Sequence, residues 1–250
     1  MVKRSPNVTQ VSRIRPAHLS AAVPAPVRSR TGDAPAEAAH SRAYGVIKEA
    51  VLAGKYGPGE IVTLRSLARQ LAIGEMPVRE ALRRLTSEGA FEALPNRSAR
   101  VPDLDRRQVQ QLLELRVFLE GKAAADAARN ITLVQIERSR SLQSEIKSSI
   151  IGGDSRTLGA LNMAFYFEIY RIADNPLLAS LIQTLWLRMA ALIARCMLIL
   201  TRHPDKFGRE ARENHKRLLA ALQARDPIRA EQAMRRDLFA LTKILAGTQR

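Results

Sequence analysis

Residues Ile61–Val101 read IVTLRSLARQLAIGEMPVREALRRLTSEGAFEALPNRSARV. Thr63 is placed to cap a helix running through Leu71, with Leu64, Leu67, Ala68 and Leu71 as its buried stripe. AIGE then makes a turn, and Gly74 stands at the N-cap of a second helix. Pro77 falls in that helix's first turn, where its missing N–H costs little. Val78, Ala81, Leu82 and Leu85 face inward, Arg79 and Arg83 share another face with Met76, and Gly89 ends the helix. Ala90–Leu94 and Ser98–Val101 flank PNR and form a hairpin with Arg97 at its tip. Two short helices followed at once by a hairpin give the order of a winged helix-turn-helix.

On the N-terminal side, GKYGPGE is a Gly-Pro turn, and Ala43, Val46, Ile47, Ala50 and Val51 recur at helical spacing between Ala39 and Gly54. Gly54 suits the C-cap of that helix. Residues 1–38 contain Pro6, Pro16, Pro24, Pro26 and Pro35 with scattered Arg and no apolar period, which reads as a disordered basic tail. Such a tail either adds salt-sensitive contacts to DNA phosphate or is an inert leader.

On the C-terminal side, from Leu104 onward, helix follows helix. The runs fall near 105–129, 132–150, 154–173, 176–201, 205–225 and 227–246, separated by turn formers such as Gly152-Gly153, Asn175-Pro176 and Asp226-Pro227. Six or seven helices of this length build a bundle able to enclose a small-molecule cavity. The fold class is therefore mainly α. A winged helix-turn-helix at 39–103 is followed by an all-helical, ligand-binding and dimerising bundle at 104–250.

Composition narrows the function. Lys and Arg number 40 against 24 Asp and Glu, a net charge of +16 that suits a polyanionic partner or an anionic surface. The charge is not concentrated in the helix-turn-helix: residues 39–105 carry +2 and residues 106–250 carry +10. One cysteine, Cys196, allows no internal disulfide, implies a reducing cytoplasmic setting, and reads as a core residue rather than a nucleophile. Arg188 and Arg195 interrupt the longest apolar run, so no segment reads as transmembrane, and the N-terminus lacks the h-region of a Sec signal.

A helix with one dry face and one Arg-bearing face can lie in the major groove, where Arg pairs with guanine or reaches phosphate. Arg97 and Arg100 on the wing can hold the backbone or the neighbouring minor groove. The same periodicity also suits an ordinary helical hairpin with solvated arginines.

The segment from Ala43 to Val101 resembles the N-terminal domain of GntR-family bacterial transcription regulators. The PGE turn, the LARQLA helix, PVREALRRL and the PNR wing fall in the family's order. The resemblance implies that Arg65, Arg79 and the wing at Asn96, Arg97 and Ser98 contact a double-stranded DNA operator. Arg83 shares the Arg79 face. The family's usual triplet entering the second helix is replaced by Gly74, Glu75 and Met76, which alters the expected base contacts. Glu75 suits the helix dipole, repels phosphate, and can accept from cytosine N4.

The bundle is similar to the FCD domain of the FadR-like subgroup, anchored on ELRVFLE, LNMAFYFEIYRIADNP, ENHKRLLAALQARDP and AEQAMRRDLFAL. That resemblance implies a homodimer and an effector, commonly a carboxylate held by an Arg, here Arg116. It also implies a divalent metal held by an Asp and three His. The matching positions are Asn162, Tyr166, His215 and Asp237, so most of the ligand set is replaced and only His215 and Asp237 remain as metal ligands. The alternative is a metal-free pocket in which these four residues bind the effector or each other. Arg116 can instead pair with Glu120, four residues on. Arg188 and Arg195 share a face that lines the cavity, a dimer interface or solvent.

The expectation is a DNA-binding regulator, a repressor in its simplest form, whose operator affinity is set by a small, anionic metabolite. Two other classes remain: an enzyme with a helical catalytic domain, and a protein-interaction module that has lost DNA specificity.

Overall fold

A computed structural model describes residues 33–95 and 98–246. The first helix, α1, spans Asp33–Leu52, starting six residues before the Ala39 expected from the apolar period. The rest of the basic tail lies outside the described residues. β1 (Ile61–Thr63), α2 (Leu64–Leu71), α3 (Glu75–Ser87), β2 (Glu92–Leu94) and β3 (Ser98–Arg100) complete the head. The sheet order is β1-β3-β2, antiparallel throughout, with Val62 opposite Ala99 and Ala93 opposite Ala99.

Local chemistry accounts for these elements. The Thr63 hydroxyl accepts from the Ser66 N–H at 3.2 Å, capping α2. Ala72 adopts a left-handed φ of 50° and ends it. Gly74 is the N-cap of α3 and supplies no side-chain hydrogen bond. Ala43 and Ile47 of α1, Leu67 of α2, Val78 and Leu85 of α3, and Phe91 meet in a dry core. Tyr44 of α1 ties that core to the end of α3, donating to the Glu88 carboxylate at 2.8 Å beneath the Arg84 guanidinium.

The bundle comprises α4 (Arg106–Asn130), α5 (Leu133–Gly152), α6 (Ser155–Ile172), α7 (Pro176–Arg202), α8 (Arg209–Gln223) and α9 (Pro227–Ala246). Asp105 and Thr132 form reciprocal capping boxes with Gln108 and Gln135, while Asp154 and Asn175 cap α6 and α7 through their side chains. One expectation changes: the run expected as helix from residue 205 opens with a π turn, Pro204–Gly208, before α8 begins. Such a turn fits a proline where the chain must bend. A Cβ at Gly208 would lie 2.7 Å from the Ile150 side chain, so the bend also brings backbone onto α5.

By length and composition alone α7 is long and apolar enough to cross a membrane. In the fold it packs against α1, α4, α5, α6 and α9, which gives its apolar surface a place inside the protein.

The head is seated on α7. Lys48 of α1 donates to the Gln183 amide oxygen at 2.6 Å. Two positive-φ glycines make close backbone approaches: a Cβ on Gly54 would fall 2.2 Å from the Ala194 Cβ, and one on Gly89 would fall 2.5 Å from the Arg188 Nε. Gly59 has a similar φ of 74° but open space around it. Gly59→Ala should therefore cost only the left-handed strain, about 1–2 kcal/mol. Gly54→Ala should add about 1–3 kcal/mol of overpacking against α7. Urea denaturation of both variants measures the difference; equal losses would mean that the head is not seated on α7 through Gly54.

Candidate functional site

Two regions carry chemistry. The first is the exposed face of α3. Glu75, Met76, Arg79 and Arg83 all reach solvent, opposite the buried Val78, Ala81, Leu82 and Leu85. Arg79 has no side-chain partner among the described residues. Arg83 donates to Glu80 at 3.0 Å within its own helix. Arg65 of α2 stands 3.9 Å from Glu75 of α3, with 91% and 47% of their side chains exposed. Such a long, exposed pair is weak and easily exchanged for another anion.

The described part of the wing is held by local contacts. Arg100 lies on β3 directly opposite Glu92 of β2 and pairs with it at 2.6 Å, so it braces the hairpin instead of standing free. Ser98 is half-buried and donates to the Pro95 carbonyl at 2.9 Å, closing the turn. Asn96 and Arg97 lie outside the described residues.

The second region is a small cavity of about 30 Å³, to which all six bundle helices contribute. Its volume is room for a water or two. Arg116, Asn162, Tyr166, His215 and Asp237 all line it, as the sequence proposed. Trp186 lines it too. Trp186 is the chain's single tryptophan, and no local signal in the sequence tied it to Tyr166.

Two polar clusters adjoin at this cavity, with the Tyr166 and Tyr170 rings stacked between them at 6.4 Å. In one, Arg116 donates through Nε to Glu120 at 2.5 Å and through Nη2 at 3.3 Å. The Tyr170 hydroxyl donates to the same carboxylate, also at 2.5 Å, and the Trp186 ring lies 4.8 Å from the guanidinium. Arg116 and Glu120 are 1% and 0% exposed, so this pair is dry. Burial opposes the Arg116 charge, but the Glu120 carboxylate holds its pKa above the ordinary value. In the other cluster, the Tyr166 hydroxyl donates to Asp237 and meets the His215 Nε2 at 2.9 Å. Burial and then the adjacent carboxylates push both phenols well above their usual range, so each keeps its proton.

A divalent metal does not fit this site. The Tyr166 hydroxyl bridges the two remaining ligand types, His215 and Asp237, and so cross-links them without an ion. The fourth position is the neutral amide of Asn162. Among the described residues no cluster of His, Cys, Asp and Glu could hold a metal.

Arg188 and Arg195 are exposed and do not line the cavity. They follow Trp186 and Ile193 by two residues, which turns them by about 200° around α7. Arg188 lies instead over Gly89 of the head. Cys196 is buried, and that burial pushes its thiol up to about 12, so it stays protonated.

A winged helix-turn-helix with an exposed arginine face, joined to a helical bundle around a small cavity, defines an effector-responsive DNA-binding transcription regulator. Residues 39–101 match the bacterial regulatory proteins of the gntR family, and residues 111–240 match the FCD domain. The chain belongs to this family of regulators. HTH-type transcriptional regulator McbR of Escherichia coli (strain K12) is 32% identical over 180 residues, 72% of this chain and 80% of McbR. A probable D-xylose utilization operon transcriptional repressor of Paenarthrobacter nicotinovorans is 29% identical over 181 residues, 72% of this chain and 77% of that protein. The solved structure of E. coli McbR/YncC aligns with a TM-score of 0.77 at 28% identity, covering 85% of this chain and 99% of that one.

Three outcomes test the cavity. Tyr166→Phe leaves His215 and Asp237 without their shared partner and should cost about 1–3 kcal/mol of stability. Dialysis against a chelator should leave the melting temperature unchanged, and stoichiometric zinc should not raise it; a rise would restore the metal reading. Burial lowers the His215 pKa despite nearby Asp237. Below an unfolded pKa of about 6.5 the unfolded chain binds a proton that folded His215 resists. Stability should therefore fall as pH drops through about 6.5, and His215→Phe should remove that part of the slope.

Proposed function

We propose that this protein binds a pseudo-palindromic operator as a homodimer and represses transcription in the cytoplasm until a small molecule enters the bundle cavity. The observation that carries this reading is the double role of α7. Trp186, Ile193, Met197 and Leu200 line the cavity, while Gln183, Arg188 and Ala194 of the same helix contact the head. A ligand regulates only if it binds one arrangement better than the other. Any ligand larger than a water or two must displace cavity-lining side chains, and α7 would carry that displacement to Gly54 and Gly89.

On DNA, α3 lies in the major groove. Arg79 reads a base edge or grips phosphate, with Glu75, Met76 and Arg83 beside it, and Arg65 and the wing at Asn96, Arg97 and Ser98 hold the backbone. Exposed apolar side chains support a dimer: Leu115 and Phe118 on α4 and Leu177 and Leu181 on the adjoining α7 have no partner within the described residues. The repressor named among the relatives supports the sign of regulation. The carboxylate effector implied by the resemblance would need a free cation, and Arg116 is already paired with Glu120.

Arg79→Ala should weaken operator binding at least tenfold, about 1.4 kcal/mol, while light scattering should find the variant's oligomeric state unchanged from that of the native chain. Footprinting upstream of neighbouring genes supplies the operator. Unchanged binding by the variant would remove α3 as the reading element.

A further inference from the structure

We propose that the bundle cavity selects an uncharged, largely aliphatic ligand carrying both a hydrogen-bond donor and an acceptor, such as a carboxamide, and discriminates against carboxylates. The proposal rests on the effector reading for its regulatory meaning, and on the cavity alone for its chemistry.

Charge balance comes first. Arg116 is the cavity's fixed cation among the described lining residues. Two of its nitrogens are committed to the Glu120 carboxylate, and Nη1 finds only the Met189 sulfur at 4.0 Å. This pair is neutral as a unit. Asp237, which also lines the cavity, is a second carboxylate, and its partner is the neutral Tyr166 hydroxyl. An entering carboxylate would thus join a site that already holds one net negative charge, with no free cation to receive it. A buried charge needs a partner.

Proton bookkeeping fixes the complementary groups. The single hydroxyl hydrogen of Tyr166 goes to Asp237. The contact between that oxygen and the His215 Nε2 therefore needs the hydrogen on Nε2. A neutral ring protonated at Nε2 leaves Nδ1 as a bare acceptor, and this atom is buried without a partner. Trp186 Nε1–H is a buried donor that reaches no partner at hydrogen-bond distance, although it acts weakly on the Tyr170 hydroxyl. One unmet acceptor and one unmet donor, on two residues that line the same cavity, call for a ligand with N–H or O–H beside a carbonyl or hydroxyl oxygen. Ile146, Ile150, Leu158, Ile193, Leu238 and Leu241 supply the rest of the lining, so the remainder of the ligand is aliphatic.

Trp186 is the only tryptophan in the chain, so its emission reports directly on the cavity. The experiment titrates the full-length protein at neutral pH with matched pairs: the carboxamides and carboxylates of cyclopentane, cyclohexane and cycloheptane. Trp186 emission and the melting temperature are followed together, and operator affinity is measured with and without each compound. The expected result is that an amide shifts the emission at least tenfold more tightly than its carboxylate. His215→Phe should weaken that amide about tenfold. Glu120→Gln, which releases Arg116, should narrow or reverse the preference. A carboxylate that matches or beats its amide in the native chain overturns the proposal, whether or not Glu120→Gln folds. No response from either member of any pair overturns it as well. Amide binding that leaves operator affinity unchanged upholds the ligand class and overturns the effector reading alone.

Discussion

The buried pair of Arg116 and Glu120 sets the terms for the rest of the bundle. Two charges at 1% and 0% exposure survive there only because each is closely partnered. Glu120 takes both Arg116 and the Tyr170 hydroxyl, and Arg116 lies over the Trp186 ring. This holds α4, α6 and α7 in one register around the cavity. Removing one partner of such a pair costs about 3–5 kcal/mol, because the other charge is then stranded.

The second cluster follows the same logic with a hydroxyl at its centre. In the pattern implied by the family resemblance, a metal would draw four side chains together. Here Tyr166 gathers only His215 and Asp237, through one donated and one accepted hydrogen bond, joining α6, α8 and α9. A phenol kept protonated by burial serves as a cross-link that neither chelators nor metal supply can remove. What the bundle gives up is a strong positive field, and with it a ready means of holding an anion.

Between these clusters and the head stands α7. Its cavity face and its head-contacting residues lie on one rigid helix of about 40 Å, so cavity shape and head position share a structural element. The tight approaches at Gly54 and Gly89 leave little slack there. Interfaces packed this closely pass on a shift of a few tenths of an ångström instead of absorbing it.

Much of this was legible in the chain. The turn formers and caps marked nearly every helix boundary, because capping is a local interaction between residues three apart. The frame of α2, α3 and the hairpin followed from periodicity, and the altered metal positions could be read off singly. The π turn at Pro204–Gly208 could not be read, since its bend answers to Ile150 on α5. Nor could the sequence choose between a free and a paired Arg116, or say that Arg188 meets the head while Trp186 meets the cavity. Sequence by itself determined the elements, their order and the residue types at the site, because these rest on spacing along one chain. Tertiary structure alone decided which charges cancel and which donors stay unmet, because burial and pairing depend on side chains that only packing brings together.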